Sequence, residues 1–335
     1  MSGRIFGHMP DGRPVKQYEI HNGRMTARVT DLGAALVSCM IDGRDVALGY
    51  ETAEEYLRNA GNMGATVGRY ANRIRNGRFT LNGTAFQLPC NRPPHCLHGG
   101  REGFHRKLWR VTEYTKDAIT LELFSPDGDQ GFPGDLTVTA VYSLRDTALS
   151  LTYTAVSGAD TVCSLANHTY WNLAGHDGGH AALCEHVFTV PAAARCELDS
   201  DTVPTGRLCP VEGTVFDLRR GVRLGDVLDD PALTPTRGFD HPYSLPGQWA
   251  RAAAVRCGDT SMEVWSDAPC MQVYSGNGLP HVSGKSGAQY GPQTGFCLET
   301  QQFPDAPNCP SFPSAVLCAG EKKAYRTEYR FIKEL

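Results

Sequence analysis

The chain has 335 residues, of which 41% are hydrophobic and 20% charged, with a formal net charge of −4. That balance suits a globular protein with a substantial core and excludes the strongly basic surface that a nucleic-acid partner needs. No apolar run is long enough to span a bilayer, and residues 1–14 mix charge, Gly and Pro without the apolar centre of a secretory signal. A cytoplasmic protein with no membrane partner is therefore expected. The twelve cysteines agree with this: no pair has CxxC spacing, and Cys39, Cys163, Cys184, Cys257, Cys270 and Cys297 sit among apolar neighbours, as reduced core thiols do.

In chain order, strand patterns occupy residues 15–20, 25–29 and 34–41. A capping box, Thr52-Ala53-Glu54-Glu55, then starts a short helix ahead of Tyr56 and Leu57. Further strands are expected at 119–124, 136–144 and 149–153. In the second of these Leu136, Val138, Ala140, Tyr142 and Leu144 share one face while Thr137, Thr139 and Ser143 occupy the other. Clusters such as Ser125-Pro126-Asp127-Gly128-Asp129 and Ala174-Gly175-His176-Asp177-Gly178-Gly179 carry turn chemistry. A second short helix is expected near 224–228, then strands at 262–265, 271–274 and 325–332, with Glu321-Lys322-Lys323 as a solvated turn before the last. Thirty-six glycines and 21 prolines disfavour long helices. Strands that do not alternate with long helices predict packed antiparallel sheets, an all-β fold. No composition shift marks a linker, so a single domain over residues 1–335 is expected.

The polar residues most out of place are Asn72 and Arg73, His95 and His98, Asn167 and His168, Asp240 and His241, Gln272, and Glu299. Strict alternation in Phe296-Cys297-Leu298-Glu299-Thr300-Gln301 puts Glu299 on the face of Cys297, beside a core position. A carboxyl there is either exposed at a strand end or half-buried with a raised pKa, and the second state suits a general base. His168 stands in an apolar, aromatic stretch, where it is either a hydrogen-bonded core histidine or a proton carrier; Tyr170 and Trp171 offer flat surfaces for the apolar face of a sugar.

His95-Cys96-Leu97-His98-Gly99-Gly100 raises the question of a metal, but no second cluster supplies ligands at recognised spacing, and His176 and His180 fall in a glycine-rich loop. No metal is expected; the glycines instead let the backbone turn so that His98 faces a cleft. Gly284-Lys285-Ser286 ends like a phosphate-binding loop, yet position 279 is Leu279 where the motif requires Gly, and no G-x-S-x-G elbow is present.

Six segments together resemble the aldose 1-epimerase (galactose mutarotase) family, in family order: Gly68-Arg69-Tyr70-Ala71-Asn72-Arg73-Ile74, Leu97-His98-Gly99-Gly100, Asn167-His168-Thr169-Tyr170-Trp171-Asn172-Leu173, Gly238-Phe239-Asp240-His241, Gln272-Val273-Tyr274-Ser275-Gly276-Asn277 and Gly295-Phe296-Cys297-Leu298-Glu299-Thr300-Gln301. The resemblance implies a large antiparallel β-sandwich with the sugar cleft on the concave face of one sheet. It implies Glu299 as general base, His168 as general acid and His98 as an assisting group, with Asn72, Arg73, Asp240 and Gln272 holding a small-molecule aldose. No cofactor is implied, since anomer exchange involves neither net redox nor hydrolysis. A monomer or weak homodimer is expected. Two rivals remain at this stage. A hexose-6-phosphate epimerase would draw on Arg69, Arg73, Arg75 and Arg78 for the phosphate, and a non-catalytic sugar-binding module would lack the Glu or the His.

Overall fold

A computed structural model describes residues 3–58 and 61–333. The expected all-β architecture is present. An N-terminal antiparallel sheet runs in sequence order through Arg4–His8, Pro14–His21, Met25–Thr30, Ala35–Ile41 and Arg44–Asp45. A nine-stranded sheet follows with the order Arg110–Tyr114, Ala118–Ser125, Leu136–Arg145, Ala148–Ser157, Lys322–Lys333, Thr260–Ser266, Ala250–Cys257, Val187–Thr189 and Val222–Arg223. The C-terminal strand Lys322–Lys333 sits in the middle of that sheet between Ala148–Ser157 and Thr260–Ser266, so completing the sheet requires the end of the chain. A third sheet orders Pro204–Pro210, Ala194–Leu198, Asp240–Ser244, Cys270–Tyr274 and Cys297–Gln301.

Alternation decides which faces meet. Leu136, Val138, Ala140, Tyr142 and Leu144 are buried while Thr137, Thr139 and Ser143 are only partly so, and the same period continues in Ala148–Ser157. These side chains join Val29, Leu36, Trp171, Met271, Phe296 and Leu298 in one apolar core between the layers. Each such side chain taken out of water contributes about 1.5–3 kcal/mol. The strand Cys297–Gln301 differs, being buried at every position. It is therefore packed on both faces, and a carboxylate in it has nowhere to escape to water except through a cleft.

The capping box forms as read. In the helix Ala53–Arg58 the Glu55 amide donates to Thr52 Oγ1 at 3.3 Å, and Glu55 Oε2 accepts from the Thr52 amide at 2.9 Å. Three local expectations need correction. The segment near 224–228 is only one turn long, a 3-10 turn Leu224–Asp226 whose Leu224 carbonyl also accepts the Leu228 amide at 3.0 Å. The supposed glycine loop continues into a helix, Gly179–Cys184, since Ala181, Ala182 and Leu183 are strong helix formers and Leu183 anchors in the core. His180 thus faces Cys184 one turn on, with Nε2 3.5 Å from Sγ. Lys322 and Lys323 belong to the last strand rather than to a turn before it.

All twelve cysteines are free, and Cys184 is only partly buried. Among the described residues no helix is long and apolar enough to cross a membrane.

Tyr142 ties the layers together: its hydroxyl donates to Ala34 O at 2.8 Å and accepts from Asn167 Nδ2 at 3.1 Å. Tyr142→Phe is expected to lower the unfolding free energy by about 1–3 kcal/mol, because Ala34 O loses the hydroxyl donor and Asn167 Nδ2 keeps only Gly64 O; urea denaturation followed by fluorescence checks it.

Candidate active site

The site forms where the third sheet meets the loops carrying the two Asn motifs. Asp240, Tyr274 and Cys297 form one row across neighbouring strands and Pro242, Gln272 and Glu299 the next but one, which puts Asp240, Gln272 and Glu299 on one face of the sheet. The His168 segment is stitched to the start of the Glu299 strand: the Trp171 amide donates to Phe296 O at 2.7 Å, and the Phe296 amide returns the bond to Trp171 O at 2.9 Å. The Ala166–Asn167 strand pairs with Thr66–Val67. Between them these ladders leave His168 no choice of direction, and its Nε2 lies 3.8 Å from Glu299 Oε1.

His98 arrives from the ladder of Cys96–Leu97 with Arg73–Ile74. It has φ +50°, and Gly99 follows with φ +80°. A Cβ on Gly99 would stand 1.9 Å from Gly68 O, so only glycine permits the turn that aims His98 inward. The His98 and His168 rings meet edge to face, centroids 5.3 Å apart. His98 Nδ1 accepts the Asn72 amide at 3.1 Å, which leaves the proton on Nε2 as a donor.

A cavity of about 360 Å³ opens over these groups, bounded by Asn72, Arg73, His98, His168, Asp240 and Glu299. Six of the seven residues expected from sequence therefore share one hollow. Gln272 does not border it; its Nε2 donates to Asp240 Oδ1 at 2.6 Å and so braces Asp240 from behind. Tyr170 and Tyr274 supply aromatic walls, with ring centroids 6.1 Å apart. Tyr274 was overlooked as a site residue, although its place two residues beyond Gln272 on the same strand face was the available signal. Farther out stand Arg92, His95, Asp201 and Arg237 on loops whose sequence gives no periodic cue.

Burial sets the electrostatics. Glu299 is 2% exposed, and desolvation, reinforced by Asp240 and opposed by Arg73, raises its pKa to about 8. Burial lowers His168 to about 4 and pushes His98 well below the usual imidazole range. Between about pH 4 and 8 the Glu299–His168 pair thus holds a single proton. That interval corresponds to about 5 kcal/mol in favour of the neutral arrangement. Attraction between opposite charges 3.8 Å apart is about 4 kcal/mol at an effective dielectric of 20, which nearly offsets it. The neutral and charge-separated arrangements therefore lie close in energy.

His98, His168 and Glu299 are close enough together to enclose an ion. Their hydrogen bonding does not suit one: with His98 Nδ1 occupied by the Asn72 amide, its Nε2 carries a proton and has no lone pair to give. His176 is engaged elsewhere, its Nδ1 2.9 Å from the Tyr290 hydroxyl.

Comparison with known proteins agrees with this geometry. Residues 16–330 match the family described as aldose 1-epimerase. The chain is 37% identical to a galactose mutarotase of Mus musculus over 98% of this chain and 97% of that one. It is 35% identical to an aldose 1-epimerase of Escherichia coli over 97% of each. The chain belongs to the aldose 1-epimerase family. It is an isomerase that interconverts the α and β anomers of aldoses. Among solved structures, an aldose epimerase homologue from C. elegans superposes with a TM-score of 0.88 at 27% identity, covering 96% of this chain and all of that one. A galactose 1-epimerase from Lactobacillus acidophilus gives 0.87 at 28%, covering 98% and 97%.

The four arginines that the sequence offered to a sugar phosphate do not converge. Arg69 is buried and spent on the carbonyls of Pro133 and Gly134 and on Ser125, and Arg75 is paired with Asp199; of the four, Arg73 alone borders the cleft.

Burying an ionisable carboxyl for catalysis has a signature in stability. With its folded pKa raised, Glu299 contributes stability that is complete below its unfolded value near 4.5 and is lost as pH rises through about 8. The melting temperature of Glu299→Gln relative to wild type should therefore climb between pH 5 and 8 and level off above. Any pH-independent effect of the amide cancels in that difference, and a pH-independent offset measured by calorimetry would contradict it.

Proposed function

We propose that Glu299 is the general base and His168 the general acid of this epimerase, acting on free aldoses such as galactose and glucose. Opening a cyclic hemiacetal requires O1 to lose a proton and the ring oxygen to gain one, so two groups must address two oxygens of one ring. The observation that carries this reading is the 3.8 Å approach of His168 Nε2 to Glu299 Oε1 at the floor of a sugar-sized hollow. In the productive arrangement Glu299 is ionised and His168 protonated. Glu299 takes the O1 proton, His168 gives its own to the ring oxygen, and the C1–O5 bond breaks. Rotation about C1–C2 then turns the other face of the aldehyde to O5, and the transfers reverse.

Glu299 Oε2 is buried without a hydrogen-bond partner among the described residues, and a donor hydroxyl on the sugar would supply one. Substrate then favours the ionised carboxylate that catalysis needs. His98, donating through Nε2, assists at the ring oxygen or a neighbouring hydroxyl. Asn72, Arg73 and Asp240 hold hydroxyls directly, and Gln272 acts through Asp240. One domain over residues 1–335 carries the whole site, and free thiols throughout fit a cytoplasmic enzyme.

Polarimetry on freshly dissolved single-anomer galactose and glucose provides the test. Glu299→Gln and His168→Ala should each lower kcat roughly 10²–10⁴-fold while changing KM far less; near-normal turnover in either removes the assignment. For the wild type, kcat/KM should be level from about pH 5 to 7 and fall about tenfold per unit above about pH 8, where the pair loses its one proton. A rate that keeps rising through pH 9 would mean that the carboxylate works without an acid partner.

A further inference from the structure

One strand addresses both nitrogens of the His168 imidazole. Cys297 and Glu299 stand two residues apart on Cys297–Gln301 and share a face, so their Cβ atoms are separated by roughly 7 Å along it. The ring spans that gap, with Nε2 3.8 Å from Glu299 Oε1 and Nδ1 3.5 Å from Cys297 Sγ. Packing keeps it there: the ring centroids of Tyr170, His98 and Tyr274 lie 5.0, 5.3 and 6.2 Å from its own. Cys297 is fully buried opposite Tyr274 in the sheet and does not border the catalytic hollow.

A neutral imidazole carries its proton on one nitrogen, and its neighbours decide which. Glu299 keeps its own proton up to about pH 8 and so presents Nε2 with a donor. The lone pair therefore belongs on Nε2 and the N–H on Nδ1, where the sulfur meets it. Thiol sulfur is a weak acceptor. A carboxylate or carbonyl oxygen in its place would stabilise the imidazolium strongly and make the ring hold its proton. As it is, burial lowers His168 to about 4, opposed by the residue's own carbonyl. Burial, with the charges of Glu299 and Asp240, also holds the Cys297 thiol well above its usual range, so no thiolate forms to fix a proton on the ring as an ion pair. The other titratable groups around the ring are His98, Tyr170, Tyr274 and His105.

We propose that Cys297 is a positioning residue of the reaction: its sulfur accepts the Nδ1–H of His168 and so keeps Nε2 as the nitrogen that takes up and gives the catalytic proton, while binding too weakly to spoil the imidazolium as an acid. This rests on the reading of His168 as the general acid.

The test uses the full chain labelled with ¹⁵N-histidine, the His168 signals assigned through His168→Ala. At about pH 6, between the two titrations, wild type should show the proton on Nδ1. In Cys297→Ala that preference should be lost, the two nitrogen shifts moving toward each other. The kcat for single-anomer galactose should fall about tenfold, the worth of one neutral hydrogen bond, with KM within about twofold of wild type. Cys297→Ser restores an acceptor, so the shifts should return to the wild-type pattern and kcat recover to within about threefold. Its imidazole should titrate at higher pH than in wild type, because oxygen accepts more strongly than sulfur.

A wild-type ring protonated on Nε2 overturns the proposal, as does a Cys297→Ala enzyme with the wild-type tautomer and kcat, in which the thiol was merely packing. If Cys297→Ala fails to fold, an imidazole that titrates at the same pH in wild type and Cys297→Ser overturns it instead. Failure here is separable from failure of the catalytic reading. Full turnover in His168→Ala sinks that reading and this proposal with it; an inactive His168→Ala beside a fully active Cys297→Ala of unchanged tautomer sinks this proposal alone.

Discussion

A carboxyl group in the middle of a strand buried on both faces is the constraint from which the chemistry follows. Water is removed from Glu299, so its charged form is disfavoured and the proton it would otherwise shed near pH 4.5 is kept to about 8. The same burial strips the proton from His168, and the two groups share what is left. An acid and a base with opposed requirements are thus obtained from one desolvated pocket. Arg73 and Asp240 pull Glu299 in opposite directions, so its affinity for a proton is a balance that bound sugar hydroxyls can tip.

Holding that arrangement is the work of the surrounding architecture. Antiparallel ladders fix Asp240, Gln272 and Glu299 on one sheet face, and the Trp171–Phe296 exchange sets the distance of His168 from Glu299. His168 is also contacted from below, with Cys297 Sγ 3.5 Å from its Nδ1. Because burial holds the Cys297 thiol far above its usual range, it stays an uncharged thiol whose sulfur can accept the Nδ1–H, leaving Nε2 to take up and give the proton in the cleft. These restraints come from main-chain pairing and packing, and this rigid frame is what a proton-transfer site needs.

Much of this was legible in the sequence, for a physical reason. Period-two alternation survives wherever one face meets water, so the strand Leu136–Arg145 reads directly, while Cys297–Gln301, buried throughout, shows its inward carboxylate only as a polar residue out of place. The paired bases and acids lie 131 positions apart, and no local pattern connects them; family resemblance did. Gln272 was grouped with the sugar-holding residues because sequence cannot distinguish a side chain bordering a cleft from one bracing its neighbour. The helix Gly179–Cys184 was obscured by the glycines before it.

The account rests on where one proton resides. Nuclear magnetic resonance of the free enzyme, with ¹³C in the Glu299 carboxyl and ¹⁵N in the His168 ring, reads that directly as pH is varied. The carboxyl should titrate near pH 8 and the imidazole near pH 4, with the His168 variant moving the carboxyl. A carboxyl titrating near 4.5 together with an imidazole near 6.5, each indifferent to loss of the other, would contradict the shared-proton site.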